Sequence, residues 1–208
     1  LAYLGPLPLV KLMERYGAAK PLVRFHGEGG SPTYSCCLFA HSDRFLGREA
    51  YLETIRSVAL TQPLSTCGFL MTERCLNQQG RSMSGESLRF SYTGSHTNSV
   101  YAVLVGDHDV GGAKCSIIKR YLFHGLEILG ETPPLPGFAL AYNEQTLAPS
   151  QADDIARELI KAGKNPEVTR TWGKQLRYGI SRAKSSDYEL IRKALSEIKI
   201  PQVSRHTP

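Results

Sequence analysis

The chain has 208 residues and a formal net charge of +6, a length that suits one large domain or two small lobes. No apolar run is long enough to span a bilayer and no signal peptide is recognisable, so we expect a soluble chain. The positive charge favours anionic partners in general, but the Lys and Arg residues are scattered and form no basic nucleic-acid arm. We therefore interpret the charge mainly as a solvated surface. The sequence starts at Leu1 rather than Met, and we expect a preceding segment to be missing.

The five cysteines, Cys36, Cys37, Cys67, Cys75 and Cys115, are odd in number and lack paired C-x-x-C spacing. This pattern predicts neither a zinc site nor a disulfide framework. The cysteines therefore leave the redox compartment of the protein open.

Strands and helices alternate from the start of the chain. Residues 1–6 are typical of a strand that closes in a turn, and an amphipathic helix follows and ends at Gly17. Residues 20–25 predict a second strand, and residues 26–32 form a Gly-rich loop. Strand, helix, strand is the order of an α/β protein.

Residues 34–41 predict a largely buried strand, with Tyr34 at its mouth beside the Gly-rich loop. A tyrosine at this position can present its hydroxyl to a cleft. Ordinary packing of a strand-end tyrosine explains the position equally well, so both interpretations stay open.

The stretch 58–76 is the one around which we interpret the rest of the chain. Its first residues predict a buried strand, Pro63 stops that strand, and Ser65 and Thr66 lead into a helix. Such a turn directs backbone N–H groups and the positive end of the helix dipole at one spot, which favours an anion. A simple N-cap role for Ser65 or Thr66 needs no ligand and is the stronger interpretation of the local sequence.

A second polar turn has the same form. Residues 88–92 predict a strand, and Gly94, Ser95 and His96 open a helix over residues 97–105. A helix N-terminus lowers the pKa of a histidine whereas a bound anion raises it, so His96 could donate to or accept from a ligand. A capping or solvated role beside a Ser95 N-cap is an equally good interpretation.

The alternation continues towards the C-terminus. Residues 107–113 predict a strand ending in Gly-Gly, where the backbone must turn tightly or approach another group closely. The elements predicted after it are a helix over 114–123, a strand over 126–130, a Pro-rich connector over 133–137, a strand over 138–141, a helix over 150–162 and a helix over about 186–198. The connector is the best candidate for a domain boundary.

Seven short motifs occur in order along nearly the whole chain. They are Ala-Tyr-Leu-Gly-Pro (2–6), Gly-Ser-Pro-Thr-Tyr-Ser (30–35), Pro-Leu-Ser-Thr-Cys-Gly-Phe-Leu (63–70), Gly-Ser-His (94–96), Asp-Val-Gly-Gly (109–112), and Leu-Arg-Tyr-Gly-Ile with Asp-Tyr-Glu-Leu-Ile-Arg (176–180 and 187–192). Each motif is weak alone. Their order and spacing resemble the phosphonate-type periplasmic solute-binding proteins of ABC importers, a family that also includes phosphite and phosphate binders.

The resemblance implies an α/β, two-lobed type II periplasmic-binding-protein fold in which the ligand is clamped between lobes joined by two hinge crossings. Mapped onto this chain, residues 1–40 and 137–208 form lobe one, and residues 41–136 form lobe two. The family's opening strands and helix have no counterpart in the sequence. Lobe one is therefore expected to lack its first strands.

The same resemblance implies a set of ligand-binding residues. The Ser-Thr-Ser turn of the family holds the phosphonate oxygens, and here it reads Ser65, Thr66 and Cys67. The third hydroxyl is replaced by a thiol, which is a weaker donor, so one oxygen contact is expected to be lost or left to the backbone N–H of Cys67. Tyr34 and His96 correspond to a tyrosine and a histidine that donate to the anion in the family.

Tyr3 matches a position near the cleft, so we expect it to contribute to ligand binding as well. Family members that take an aminoalkylphosphonate use acidic residues to pair with the ammonium, and those positions are Ser116 and Phe138 here. A buried ammonium without a carboxylate is costly. We therefore expect an oxyanion with little or no cationic tail, such as phosphate, phosphite or a small alkylphosphonate, and no cofactor or metal.

The leading hypothesis is a monomeric, periplasmic or otherwise extracytoplasmic binding protein that delivers the oxyanion to the membrane permease of an ABC importer. A sensor domain of the same fold, coupled to a kinase or cyclase, is a close alternative. An enzyme that uses Cys67, Cys115 or His96 is less favoured, because the sequence has no G-x-S-x-G, no H-E-x-x-H and no matched acid pair. Nucleic-acid binding is also less favoured, because the sequence has no basic stretch with interspersed aromatic residues.

Overall fold

The structure is a computed structural model that describes residues 1–44, 48–84, 88–201 and 203, without the side chains of residues 44–50. The chain divides into two compact units. The first unit is Leu1–Tyr34 with Pro134–Lys193, and the second is Ser35–Pro133 with Ala194–Pro208.

The division into units differs from the predicted lobes mainly at the C-terminus. Residues 194–208 group with the second unit, whereas the sequence assigned them to lobe one. The two earlier boundaries lie six and three residues before the predicted ones, after Tyr34 rather than residue 40 and after Pro133 rather than residue 136. That these two units correspond to the two lobes of a binding protein stays a prediction.

Helices and strands alternate along most of the chain. In chain order they are β1 (Ala2–Leu4), α1 (Pro6–Arg15), β2 (Ala19–Phe25), β3 (Thr33–Tyr34), β4 (Cys36–His41), α2 (Arg48–Thr54), β5 (Ser57–Leu60), a π-helix (Thr66–Met71), α3 (Thr72–Asn77), β6 (Arg89–Tyr92), α4 (His96–Leu104), β7 (Val110–Lys114), α5 (Cys115–Ile118), β8 (Leu126–Glu131), β9 (Leu135–Pro136), β10 (Ala139–Asn143), α6 (Pro149–Ala162), α7 (Pro166–Thr169), β11 (Ile180–Arg182) and α8 (Glu189–Glu197).

Two predicted elements differ from the observed ones. The helix predicted over 114–123 is only the four-residue α5, followed by a short 3-10 turn at Leu122–His124. The strand predicted over 34–41 is split into β3 and β4. In both places one apolar run predicted a single element, and the structure divides it into two.

The first unit is built on a four-stranded antiparallel sheet in the order β1-β10-β2-β11. Helix α6 packs against this sheet. Its Ala152 and Ala156 are small and fully buried against Val23 of β2 and Ile180 of β11, which lets the helix approach the strands closely. A separate two-stranded ribbon pairs β3 with β9.

The second unit contains a five-stranded sheet in the order β6-β5-β7-β4-β8. Strands β6, β5 and β7 are parallel to one another, and β4 runs antiparallel to both β7 and β8. Because parallel strands end at the same edge of a sheet, the segments that follow β5, β6 and β7 leave the sheet at one edge.

Helices cover both faces of this sheet, and the predicted close approach at Gly-Gly is confirmed. A Cβ on Gly111 would lie 2.4 Å from the Phe39 ring, on the face covered by α4 and α5. A Cβ on Gly112 would lie 1.7 Å from Thr72 Oγ1, on the face covered by α3. Successive residues of a strand point to opposite faces, so the two glycines admit one neighbour on each side.

A search of the described residues for helices long and apolar enough to cross a membrane found none.

Candidate functional site

The turn after β5 starts a helix as the sequence predicts. Ser65 is the N-cap residue, and its Oγ accepts a hydrogen bond from the N–H of Gly68 at 2.9 Å. The Ser65 carbonyl accepts from the N–H groups of both Phe69 and Leu70, at 3.2 and 3.3 Å. The bond from Leu70 spans five residues, so the helix begins with the wide turn Thr66–Met71. The capping role of Ser65 is confirmed, and its hydroxyl proton can still be donated to a ligand.

Close packing fixes the path of this turn. A Cβ on Gly68 would meet Thr61 Oγ1 at 1.9 Å, so the strand end and the helix start are in direct contact. The N–H of Thr61 also donates to the carbonyl of Gly68 at 3.2 Å. Thr66, the first residue of the helix, is only 6% exposed. The glycine therefore allows a closeness that any side chain would prevent.

The turn after β6 has the same form. Ser95 is the N-cap residue of α4, and its Oγ accepts from the N–H of Asn98 at 3.1 Å. The side-chain amide of Asn98 donates to the carbonyl of Thr93 at 2.7 Å. Gly94 has a φ of 87°, a conformation that favours glycine. His96 is thereby placed as the first residue of α4.

The two turns are neighbours because β5 and β6 are adjacent parallel strands, with Leu60 opposite Tyr92 at their ends. The N–H of Gly94 donates to the carbonyl of Thr61 at 2.8 Å, and Gln62 Nε2 donates to the carbonyl of Gly94 at 3.0 Å. The positive ends of two helix dipoles therefore lie at one sheet edge, with the N–H groups that a helix start leaves without an intrahelical partner. This arrangement suits an anion.

His96 is a titratable residue at this edge. Its Nδ1 is buried and finds no hydrogen-bond partner within the described part of the chain. Burial, and secondly the positive charge of Lys114, lower the pKa of His96 from 6.5 to about 4. The imidazole is therefore neutral at neutral pH, with one N–H donor and one acceptor nitrogen.

Lys114 is a functional candidate that the sequence analysis missed. It is the last residue of β7, which pairs in parallel with β5 through Ala59 and Gly111, so it ends at the same sheet edge as the two turns. The sequence signal was a third strand that ends in a cation, but residue 114 was assigned to a following helix. Lys114 adds a positive charge to an edge otherwise built from dipoles and hydroxyls.

Cys67 does not keep even the weak thiol donor that the sequence offers at this position. Its Sγ forms a disulfide with Cys36, the first residue of β4, and a disulfide sulfur has no proton to donate. A second disulfide joins Cys37 to Cys115, and Cys75 is a buried free thiol. The cysteine spacing did not signal these disulfides, and the redox state of the cysteines was left open. The pairs are 31 and 78 residues apart, so sheet geometry rather than local spacing brings them together.

The two predicted tyrosines belong to the first unit. Tyr34 ends β3, and Tyr3 stacks on the half-exposed ring of Phe138 and meets Phe25 edge-on, each at a centroid distance of 5.4 Å. Burial raises the pKa of Tyr3, so its hydroxyl keeps its proton. The structure thus brings the predicted Ser, Thr, Cys and His residues to one sheet edge in the second unit and places both tyrosines in the first unit.

One side-chain cluster has the ligand types of a metal site. Within the described ranges, Cys37, Cys115 and Glu131 have donor atoms less than 4.8 Å apart. Since the two sulfurs are joined in a disulfide, neither is a thiolate, which is the form that binds metals. The cluster does not fit a metal in this oxidised state.

Comparison with known proteins agrees with the sequence motifs. A profile of the family described as ABC transporter, phosphonate, periplasmic substrate-binding protein matches residues 1–188. PhnD1 from Prochlorococcus marinus, solved in complex with methylphosphonate, is 16% identical with a TM-score of 0.69, over 94% of this chain and 78% of PhnD1.

Two further solved structures are similar to the chain. A Xanthomonas citri protein bound to chloride ion is 17% identical with a TM-score of 0.76, over 94% of this chain and 78% of the other. A binding protein component of an ABC phosphonate transporter from Pseudomonas aeruginosa is 18% identical with a TM-score of 0.72, over 93% of this chain and 67% of the other.

The structural likenesses establish the two-lobe α/β fold of periplasmic binding proteins, which the motifs implied. The family profile spans nearly the whole chain and describes a solute-binding role in transport. The chain therefore belongs to the family of periplasmic substrate-binding proteins of phosphonate ABC transporters.

Proposed function

We propose that the protein captures a small phosphorus oxyanion without a cationic tail, namely phosphate, phosphite or an alkylphosphonate. The observation that carries this proposal is the pair of helix starts at one sheet edge, after β5 and β6, with His96 Nδ1 beside them, buried and without a hydrogen-bond partner among the described residues. Tetrahedral oxyanions need several donors that converge on one spot, and two helix N-termini supply them from the backbone.

The side chains of this edge complement the backbone donors. Ser65 and Thr66 add hydroxyls, His96 adds one imidazole N–H, and Lys114 adds a positive charge. Hydrogen bonds to a charged group each contribute about 1.5 to 3 kcal/mol. Because Cys67 is in a disulfide, we propose that it binds through its backbone N–H rather than through sulfur.

Nothing in the proposed ligand contacts offers a countercharge for an ammonium. Of the two positions that carry acids in aminoalkylphosphonate binders, Ser116 is neutral and exposed, and Phe138 is an aromatic ring stacked on Tyr3. We propose that the ligand tail is short and uncharged, and that the hydroxyls of Tyr3 and Tyr34 also donate to the ligand.

The family implies an ABC permease as the partner and an extracytoplasmic location. Two disulfides support that location, because disulfides persist in oxidising compartments such as the periplasm. We propose that the protein is monomeric and is not an enzyme. The matched family and the similar structures with named roles are transport binding proteins, so a sensor or an enzyme is not favoured.

Calorimetric titration with phosphate, phosphite, methylphosphonate, aminoethylphosphonate and sulfate tests this proposal. Ser65→Ala, Thr66→Ala and His96→Ala should each weaken binding of the preferred oxyanion by about 1 to 3 kcal/mol, since each removes a donor to a charged group. A ligand at a hundred times its Kd should add about 2.7 kcal/mol to the free energy of unfolding.

Ser150→Ala, Thr171→Ala and His124→Ala are matched controls, because each removes the same group from an exposed position. These controls should leave the affinity unchanged. If the three site variants also leave it unchanged, the oxyanion does not bind at this edge. A preference for aminoethylphosphonate would refute the proposed absence of a cationic tail.

A further inference from the structure

Residues 65–67 form the turn proposed to bind the oxyanion, here called the oxyanion turn. Its third residue, Cys67, forms a covalent bond instead of offering a side-chain donor. Because Cys67 Sγ is bonded to Cys36 Sγ, the group that Cys67 can offer a ligand is its backbone N–H. Cys67 is the second residue of the helix, and the N–H groups at a helix start have no intrahelical acceptor. Whether that N–H meets a ligand depends on how the first turn is held.

The hydrogen bonds of this first turn are long and shared. The Ser65 carbonyl accepts hydrogen bonds from the N–H groups of both Phe69 and Leu70, at 3.2 and 3.3 Å. Such π-helical turns are rare. One short bond, from Thr72 Oγ1 to the carbonyl of Cys67 at 2.7 Å, ties the turn to the following helix. The N–H of Thr61 donates to the carbonyl of Gly68 at 3.2 Å and holds the turn to the strand end, and the disulfide adds a covalent link to β4.

The other end of the disulfide is fixed in the sheet. Cys36 lies on β4, which is hydrogen-bonded to β7 on one side and to β8 on the other. Its N–H donates to Thr132 Oγ1 at 3.0 Å, and its carbonyl accepts from the N–H of Thr132 at 2.9 Å. In the strand register Cys36 stands opposite Lys114. The bond therefore links the oxyanion turn to a well-anchored strand residue beside the third strand end.

The second disulfide provides an internal reference. Cys37 is the next residue of β4 and packs on the face covered by α4 and α5, opposite the face that holds the oxyanion turn. Its partner Cys115 starts α5. Lys114 is fixed by strand pairing with Cys36, and the N–H of Cys115 donates to the carbonyl of Ser35 at 2.9 Å. Loss of this second disulfide should therefore leave the oxyanion turn in place.

We propose that the Cys36–Cys67 disulfide is a positioning pair for oxyanion binding: it aims the backbone donors of the first turn, including the Cys67 N–H, at the ligand. This inference rests on the proposed function. It predicts that the two disulfides, although adjacent on one strand, differ in their effect on ligand affinity.

The test measures the Kd of methylphosphonate and inorganic phosphate by calorimetry, well below the Tm of every variant. Cys36→Ala/Cys67→Ala should raise the Kd roughly tenfold or more, the equivalent of one lost hydrogen bond to a charged group. Cys37→Ala/Cys115→Ala should lower the Tm but keep the Kd of the unaltered protein. Cys36→Ala/Cys67→Ser restores the hydroxyl of the family turn and should recover part of the lost affinity.

Reduction provides a second measurement that does not require the alanine pair to fold. In Cys37→Ala/Cys115→Ala the remaining disulfide is Cys36–Cys67. A phosphine reductant breaks its S–S bond, and the two sulfurs leave as thiols while the phosphine takes an oxygen from water and becomes a phosphine oxide. The Kd of the reduced form should rise by the same factor, with unchanged stoichiometry.

The outcomes separate the two proposals. If the unaltered protein binds neither oxyanion, the proposed function fails and this inference fails with it. If the unaltered protein binds, but the Kd stays the same after removal or reduction of Cys36–Cys67 as in the Cys37→Ala/Cys115→Ala control, the positioning role is refuted and the proposed function stands.

Discussion

The turns after β5 and β6 use the same local chemistry to begin a helix at the same sheet edge. Each has a serine N-cap whose Oγ accepts from the N–H three residues later, Ser65 from Gly68 at 2.9 Å and Ser95 from Asn98 at 3.1 Å. Such caps stabilise a helix by about 1 kcal/mol and need no ligand. The cap alone therefore does not distinguish a binding turn from any other helix start.

The two turns differ in how they are held and in what they carry. The turn after β5 is packed directly on Thr61, is bonded covalently to β4 and contains no titratable side chain. The turn after β6 is held by hydrogen bonds and carries His96, whose Nδ1 has no partner within the described residues. One turn supplies fixed geometry, and the other supplies a group whose charge can respond to a ligand.

Gly68→Ala should distort the turn after β5, and we expect it to lower the unfolding free energy more than any other change considered. The added Cβ would lie 1.9 Å from Thr61 Oγ1 and 2.6 Å from Thr61 Cβ, so the turn or the strand end must shift. Overpacking of this kind costs up to about 3 kcal/mol of unfolding free energy. Denaturant unfolding measures the loss, and the oxyanion affinity should fall with it.

Gly17→Ala is the matched control, since a Cβ there meets nothing within 4 Å. It should leave the unfolding free energy nearly unchanged. Adding Thr61→Gly to Gly68→Ala should return part of the lost stability, because it removes the clashing side chain. If Gly68→Ala is as stable as the control, the tight contact between strand end and turn does not exist in solution.

The turn after β6 should make the unfolding free energy depend on pH, because it carries His96. The pKa of His96 is about 4 in the folded protein and about 6.5 when unfolded, so the unfolded chain takes up a proton first as the pH falls. The stabilising contribution of neutral His96 is complete above pH 6.5 and is lost between pH 6.5 and 4. Between pH 7 and 5, the unfolding free energy should fall by roughly 2 kcal/mol more than in His96→Gln.

The same pair of proteins tests whether the ligand touches His96. A bound anion raises the pKa of a nearby histidine, so oxyanion binding should strengthen in the unaltered protein relative to His96→Gln as the pH falls. Taking the difference between the two proteins cancels the titration of the ligand and of the other histidines. Parallel pH profiles for binding would place the anion away from His96.

Local features of both turns could be predicted from the sequence. The buried strand before Ser65, the N-cap role of Ser65 and the helix that begins near His96 all depend on residues within one or two turns of each other. The ends of β5 and α4 were predicted to within about one residue. The fold and family followed from seven motifs whose order along the chain is visible without coordinates.

Features that depend on distant residues could not be predicted in this way. Cys36 and Cys37 are neighbours in sequence, yet their disulfide partners lie on opposite faces of the sheet, 31 and 78 residues away. Lys114 joins the site because β7 happens to lie beside β5, and strand order is not encoded in local periodicity. The disulfide that leaves Cys67 without a thiol proton depends on the same long-range strand order.

Lys114→Met should have the smallest effect on oxyanion affinity. It tests whether the third strand end influences His96 in the turn after β6. Because the charge of Lys114 lowers the pKa of His96, its removal should raise that pKa, which NMR titration of the His96 ring protons would show. The oxyanion affinity should fall by up to about 1 kcal/mol, as expected for a charge that water partly screens. Exposed Lys119→Met is the matched control. An unchanged His96 pKa would mean that the second turn works without the third strand, and burial alone would then explain why His96 is neutral.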